Sequence, residues 1–187
     1  MAELLVVGFQ DNIHRASGVL DELRVLDDEW ILELADAVAV HREMDGTLAM
    51  DQNYQPTGRG ATEWGATIGF LVGATLSIPF TTGASPDVAL GAKIAANLAT
   101  SQTGGVNVSV RASLSKNLSS ILEEFFERAR PLLRPGNSAI YAMLETSDST
   151  IAPARFQRYG GAVVRLTLSS QQQLEIERLI KEGFRTH

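Results

Sequence analysis

Hydrophobic and polar positions in the first 56 residues predict a strand, a helix and two more strands. Residues 4–9 form an uninterrupted apolar run, which is typical of a central strand buried on both faces. Residues 36–42 predict the second strand, and the alternation from Leu48 to Tyr54 predicts the third, after the Asp45-Gly46 turn. Between the first two strands, up to Asp28 and beyond, the apolar residues fall near one helical face: Ile13, Ala16, Leu20, Leu23 and Trp30.

The last third of the chain alternates between helices and strands. A helix closed by Pro131 is predicted first, and the Pro135-Gly136 turn leads into a strand over residues 138–145. A turn or helix over 153–159 and a strand over 162–168 follow. Ser169 or Ser170, with a glutamine three residues later, predicts a capping box. The apolar faces of the two helices are Leu114, Leu118, Ile121, Leu122, Phe125, Phe126 and Ala129, and then Ile176, Leu179, Ile180 and Phe184.

This order of elements predicts an α+β fold. We expect a ferredoxin-like split βαβ sheet with an inserted helical hairpin and a C-terminal strand–helix extension. Residues 1–56 and 112–187 would form the α+β domain, and residues 57–111 would form the inserted hairpin.

The insertion carries small residues at every fourth position. Gly65, Gly69 and Gly73 would form one stripe without side chains on a helix, and glycine inside a helix costs about 1 kcal/mol relative to alanine. A closely packed partner helix offsets such a cost. After Pro79 and Pro86 the same step recurs, which predicts a glycine-zipper hairpin with six contact residues: Gly65, Gly69, Gly73, Gly91, Ala95 and Ala99.

Charge is scarce in the insertion, but neither helix of the hairpin is expected to insert into a membrane alone. A helix over residues 61–78 would be about 27 Å long, short of a hydrocarbon core of about 30 Å. In the second helix a central Lys93 alone would oppose insertion by about 2.5–3.5 kcal/mol. Two arrangements remain open. The hairpins of several copies pack together, in water or partly in lipid, or each hairpin lies on its own sheet. We favour the first.

Candidate chemistry elsewhere is sparse. The net charge is -6 with no basic run, so a nucleic-acid partner is not expected, and there is no cysteine. We predict no catalytic, cofactor-binding or metal-binding residue. Three candidate groups lack the required spacing: His14, His41 and His187 for a metal, Asp27-Asp28-Glu29 for a cation, and Gly58-Arg59-Gly60 for a phosphate. Glu123, Glu124 and Glu127 lie on the polar side of an amphipathic helix, so an active site with paired carboxylates is not expected there.

Several short motifs along the chain form a specific combination: residues 3–9, residues 36–40, Asp45-Gly46, residues 57–61, Trp64-Gly65, residues 135–139 and residues 159–161. Together they resemble the DUF1269 family, a group of uncharacterised bacterial proteins that are often labelled membrane proteins. The resemblance spans nearly the whole chain and implies no activity. The polar stretch 101–107 departs from the family pattern and makes the second helix less suited to lipid.

The sequence therefore predicts a non-enzymatic, self-associating protein. We expect a cytoplasmic homo-oligomer held together by the hairpin, with association with the inner face of the membrane left open. The alternative is a small-molecule-binding or regulatory module whose hairpin stays within one copy. An enzyme would become credible if a pocket brought Glu or Asp within hydrogen-bond reach of His41 or His14.

Overall fold

In the computed structural model, five strands and the helices that cover them account for most of the described residues, which are 2–28, 34–54, 68–73, 75, 115–145 and 158–185. The strands are β1 (Ala2–Phe9), β2 (Leu34–Arg42), β3 (Leu48–Tyr54), β4 (Ser138–Glu145) and β5 (Ala162–Leu168). The helices are α1 (Arg15–Asp28), α2 (Lys116–Ala129), which continues into a 3-10 turn (Arg130–Leu133), and α3 (Ser170–Arg185). The strands form one sheet in the order β3-β2-β4-β1-β5, and every neighbouring pair is antiparallel.

The sheet contains a split βαβ unit, but its order differs from the ferredoxin-like expectation. The parallel strands β1 and β2 are connected through α1, and β4 lies between them. A ferredoxin-like sheet places the third strand in that position, whereas here β3 lies at the edge. In both orders β3 lies beside β2, but here β4 occupies the place between β1 and β2, so β3 pairs with the other side of β2. Every described side chain of β4, from Ser138 to Leu144, is buried, as suits a central strand. The ferredoxin-like order is therefore not confirmed.

The predicted element boundaries agree closely with the structure. The strands predicted over 138–145 and 162–168 are β4 and β5, and the predicted central strand is the buried part of β1. α2 ends at Ala129, directly before the 3-10 turn that contains Pro131. The capping box is confirmed at α3, where Ser169 N donates to Gln172 Oε1 (2.9 Å) and Gln172 N donates to Ser169 Oγ (3.3 Å).

The two faces of the sheet carry separate apolar cores. On one face α1 buries Ala16, Leu20 and Leu23, as predicted, together with Val19, while Ile13 is only partly buried. On the other face α2 packs with residues of the insertion and with Ile176 of α3 in a single apolar cluster. The described part of the insertion therefore packs against the sheet face opposite α1.

Much of the predicted hairpin falls outside the described residues. Within the predicted first helix, residues 68–73 and 75 are helical and buried. We call these residues the buried segment. Gly65, Gly91, Ala95 and Ala99 lie outside the described residues, as do Trp30 and Leu114.

Candidate functional site

The buried segment is the described part of the site that the sequence predicts. Its large side chains, from Ile68 to Val72, join the cluster formed by strand residues such as Val38 and Tyr141 and by Phe126 of α2. Six consecutive helical residues cover every direction around a helix axis, because one turn takes 3.6 residues. Since all six are buried, the segment is enclosed on every side within one copy of the chain.

Two of the six predicted contact residues lie in this segment. Gly69 and Gly73 are both helical and both buried. A glycine stripe that serves close helix packing has to be buried, and both of these glycines are. Both glycines are therefore already buried within a single copy of the chain.

Polar contacts gather where the buried segment ends. The Thr75 hydroxyl donates to the carbonyl oxygen of Leu71 (2.7 Å), and Arg130 Nε donates to the carbonyl oxygen of Thr75 (3.0 Å). Arg130 Nη1 also lies 2.7 Å from Glu127 Oε1. Burial raises the pKa of the Tyr141 phenol well above its usual range, and the Thr75 side chain beside it offsets part of that rise. The hydrogen bonds of Arg130 thus connect the buried segment to the 3-10 turn and to α2, and Thr75 lies beside Tyr141 of β4.

A second polar group holds the loops at one end of the sheet. Asn137 Oδ1 accepts from Asp11 N (3.1 Å), and Asn137 Nδ2 donates to the carbonyl oxygen of Leu132 (3.2 Å). Ser138 Oγ accepts from Ala16 N (3.2 Å) and donates to the carbonyl oxygen of Asn12. The Asn137-Ser138 pair therefore fixes the loop before α1 to the start of β4, which gives this motif a structural role.

The same end of the sheet brings histidines close to carboxylates. His41 Nε2 lies 2.9 Å from Glu43 Oε1, and His14 Nδ1 lies 3.8 Å from Asp51 Oδ2. The hydrogen-bonded pair that an enzyme would need is thus present at His41. However, His41 Nδ1 is buried from solvent and has no hydrogen-bond partner among the described residues. A substrate cannot reach that nitrogen in this arrangement, so the geometry does not support His41 as a general base.

Two buried carboxyl groups were missed by the sequence analysis. Glu3 and Asp36 are each only 1% exposed. Burial raises the pKa of Glu3, and Arg165, whose Nε lies 3.6 Å from Glu3 Oε1, offsets part of the rise. Burial raises the pKa of Asp36 to about 7, although Asp36 Oδ1 accepts from Ala37 N (2.8 Å). The available signal was an acidic residue at the border of each apolar run.

Within the described ranges, no group of three His, Cys, Asp or Glu residues is placed to hold a metal ion. Glu127 of the acidic set on α2 is paired with Arg130. Glu29, residues 58–60 and His187 lie outside the described residues. Among the helices that the structure describes, none is both long enough and apolar enough to cross a membrane.

Comparison with protein families gives a match to part of the chain. The model of the family described as "Protein of unknown function (DUF1269)" matches residues 62–181. No curated protein and no solved structure matches the chain.

Proposed function

Since the chain belongs to the DUF1269 family of proteins of unknown function, we propose a role from its own residues: a non-enzymatic protein that self-associates through its Gly/Ala-rich insertion. The four-residue step of small residues at Gly91, Ala95 and Ala99 supports this proposal most directly, because it repeats the step of Gly65, Gly69 and Gly73. Glycines placed where helix packing is closest are the feature on which small-residue association depends.

The described surface outside the insertion offers little for self-association. Among the described residues, the exposed large hydrophobic ones are Val25 on α1, Met44 in the β2–β3 turn and Leu174 on α3. They lie on three separate elements, and single exposed apolar residues are normal on a protein surface. This leaves the insertion as the best candidate for the contact surface.

Both edges of the sheet carry features that discourage pairing with another sheet. In β3, Asp51 is the extra residue of a bulge, because Ala39 pairs with Gln52 while Val40 pairs with Met50. In β5, Arg165 is exposed in the middle of the strand. Bulges and charged residues at edge strands oppose edge-to-edge association. Self-association by sheet extension is therefore disfavoured.

The proposal divides the small residues of the insertion between two tasks. Gly69 and Gly73 serve packing inside one copy, because they are enclosed there. Gly91, Ala95 and Ala99 repeat the same four-residue step and are assigned to contact between copies. Lys93 in this stretch opposes deep burial in lipid, so any membrane association is assigned to the surface of the bilayer. Cell fractionation should then place the protein in the soluble and peripheral pools rather than the integral pool.

A pair of matched substitutions tests the assignment. Gly91→Leu should lower the molar mass measured by light scattering, since a large side chain on the stripe would separate the copies. Gly18→Leu is the control, because Gly18 lies on α1 and a Cβ there meets nothing within 4 Å. Both variants should keep the far-ultraviolet circular dichroism of the wild type. A wild-type mass for Gly91→Leu would contradict the assignment.

A second candidate function has one observation in its favour. Because Gly69 and Gly73 are enclosed within a single copy, the whole hairpin could remain intramolecular in a small-molecule-binding or regulatory module. A ligand that raises the melting temperature of a monomeric wild-type protein would favour this candidate over self-association.

A further inference from the structure

The sequence does not provide the usual helical donor, the N–H of the residue four positions later, for the carbonyl group of Thr75. In an α-helix, the carbonyl oxygen of Thr75 would accept from the N–H of the residue four positions later. That residue is Pro79, which has no N–H. Thr75 is 0% exposed, so its carbonyl group lies in a buried part of the molecule. A buried carbonyl without a donor is costly, and another group must satisfy it.

Arg130 provides that donor. Its Nε donates to the Thr75 oxygen at 3.0 Å, across 55 residues of sequence. The Glu127 carboxylate, 2.7 Å from Arg130 Nη1, helps to orient the guanidinium. A hydrogen bond from a charged donor is stronger than a neutral one, and a cation near the last carbonyl groups of a helix is favourable.

We propose that Arg130 is the positioning residue of the insertion, where it donates to the carbonyl oxygen of Thr75 and fastens the end of the buried segment to the 3-10 turn. The inference rests on the proposed function only in assigning a use to the insertion. Large side chains hold the segment on the sheet through nonspecific burial, whereas this bond fixes one point of its backbone. The residues assigned to contact between copies come later in the chain. Arg130 therefore fixes the position of the segment that precedes them.

Hydrogen exchange of the full-length protein, followed by mass spectrometry, tests this role. Arg130→Met removes every hydrogen-bond donor of the side chain but keeps an aliphatic side chain of similar length. Exchange of the amides in residues 68–75 should become about tenfold faster, which corresponds to the loss of one charge-assisted bond. Exchange in β4 should stay as in the wild type. Arg130→Lys retains a cationic donor and should restore part of the protection.

Arg128→Met is the matched control, because Arg128 is exposed in the last turn of α2. It should leave exchange in residues 68–75 unchanged. The proposal is overturned if Arg130→Met and Arg128→Met give the same exchange there. It is also overturned if Arg130→Met accelerates exchange equally in β4, because the effect would then be a general loss of stability.

The outcome is separable from that of the proposed function. If the wild-type protein is a monomer and Arg130→Met still accelerates exchange in residues 68–75, self-association fails and the role of Arg130 stands. If the wild-type protein is an oligomer and Arg130→Met changes no exchange rate, the role of Arg130 fails alone.

Discussion

At the scale of single residues, Asp36 couples the stability of the fold to pH. Its carboxyl group is almost completely buried, and one of its oxygens, Oδ2, has no hydrogen-bond partner among the described residues. Burial disfavours the charged form and raises the pKa to about 7. The folded protein therefore binds a proton at Asp36 more tightly than the unfolded chain, in which the pKa is about 3.9.

The sign of the pH effect follows from this difference. Between about pH 4 and pH 7 the folded state holds more protons at Asp36, so its contribution to the free energy of unfolding falls as pH rises, by at most about 1.4 kcal/mol per pH unit. Asp36→Asn should remove this contribution and make the protein more stable than the wild type at pH 8. Asparagine keeps an oxygen for the Ala37 N–H. Urea unfolding of both proteins from pH 4.5 to pH 8 measures the slope of the free energy of unfolding against pH and the difference in stability at pH 8.

Asp45→Asn is the control for the pH series. Hydrogen bonds from Thr47 lower the pKa of Asp45, so its own contribution changes below about pH 4. That variant should keep the wild-type slope above pH 5. An unchanged slope in Asp36→Asn would contradict the assignment to Asp36.

Two glycines should respond to alanine with opposite signs. At Gly161 an added Cβ would lie 2.6 Å from Val7 Cγ1 and 3.0 Å from the carbonyl oxygen of Gly8. Gly161→Ala should therefore lower the free energy of unfolding by about 1–3 kcal/mol through overpacking. An added Cβ at Gly18, on α1, would have no neighbour within 4 Å. Gly18→Ala should therefore raise the free energy of unfolding by about 0.5–1 kcal/mol. Equal effects of the two substitutions in chemical unfolding would contradict the packing at Gly161.

At the scale of elements, local patterns predicted the boundaries and failed on the strand order. β4 and β5 were predicted correctly because their apolar runs lie between clear turn signals, and the Ser169–Gln172 capping box specified the start of α3. The place of each strand in the sheet depends on pairing between distant segments, which alternation does not encode. Polar residues 51–53 in β3 were the available signal for an edge strand.

The candidate site was predictable only in part for the same reason. The four-residue step of Gly69 and Gly73 predicted a buried helix, and both residues are helical and buried. The hydrogen bond of Arg130 to Thr75 could not be predicted, since no sequence pattern links two residues so far apart. Pro79 shows that the residue four positions after Thr75 has no N–H to donate, but the structure is needed to show that Arg130 donates to Thr75.

At the scale of the whole molecule, self-association has to overcome charge. Each copy carries a formal net charge of -6, which makes copies repel one another. A weakly charged surface adds least to this repulsion, and the proposed contact region, residues 57–110, contains only Arg59, Glu63, Asp87 and Lys93 as charged residues. Added salt screens the repulsion between copies and should strengthen an apolar contact.

The molar mass of the purified wild-type protein tests the central claim most directly. One chain has a mass of 20.2 kDa. Size-exclusion chromatography with multi-angle light scattering, run over a range of protein concentrations, should give a mass that corresponds to two or more copies. A mass of one chain at every concentration would contradict self-association through the insertion.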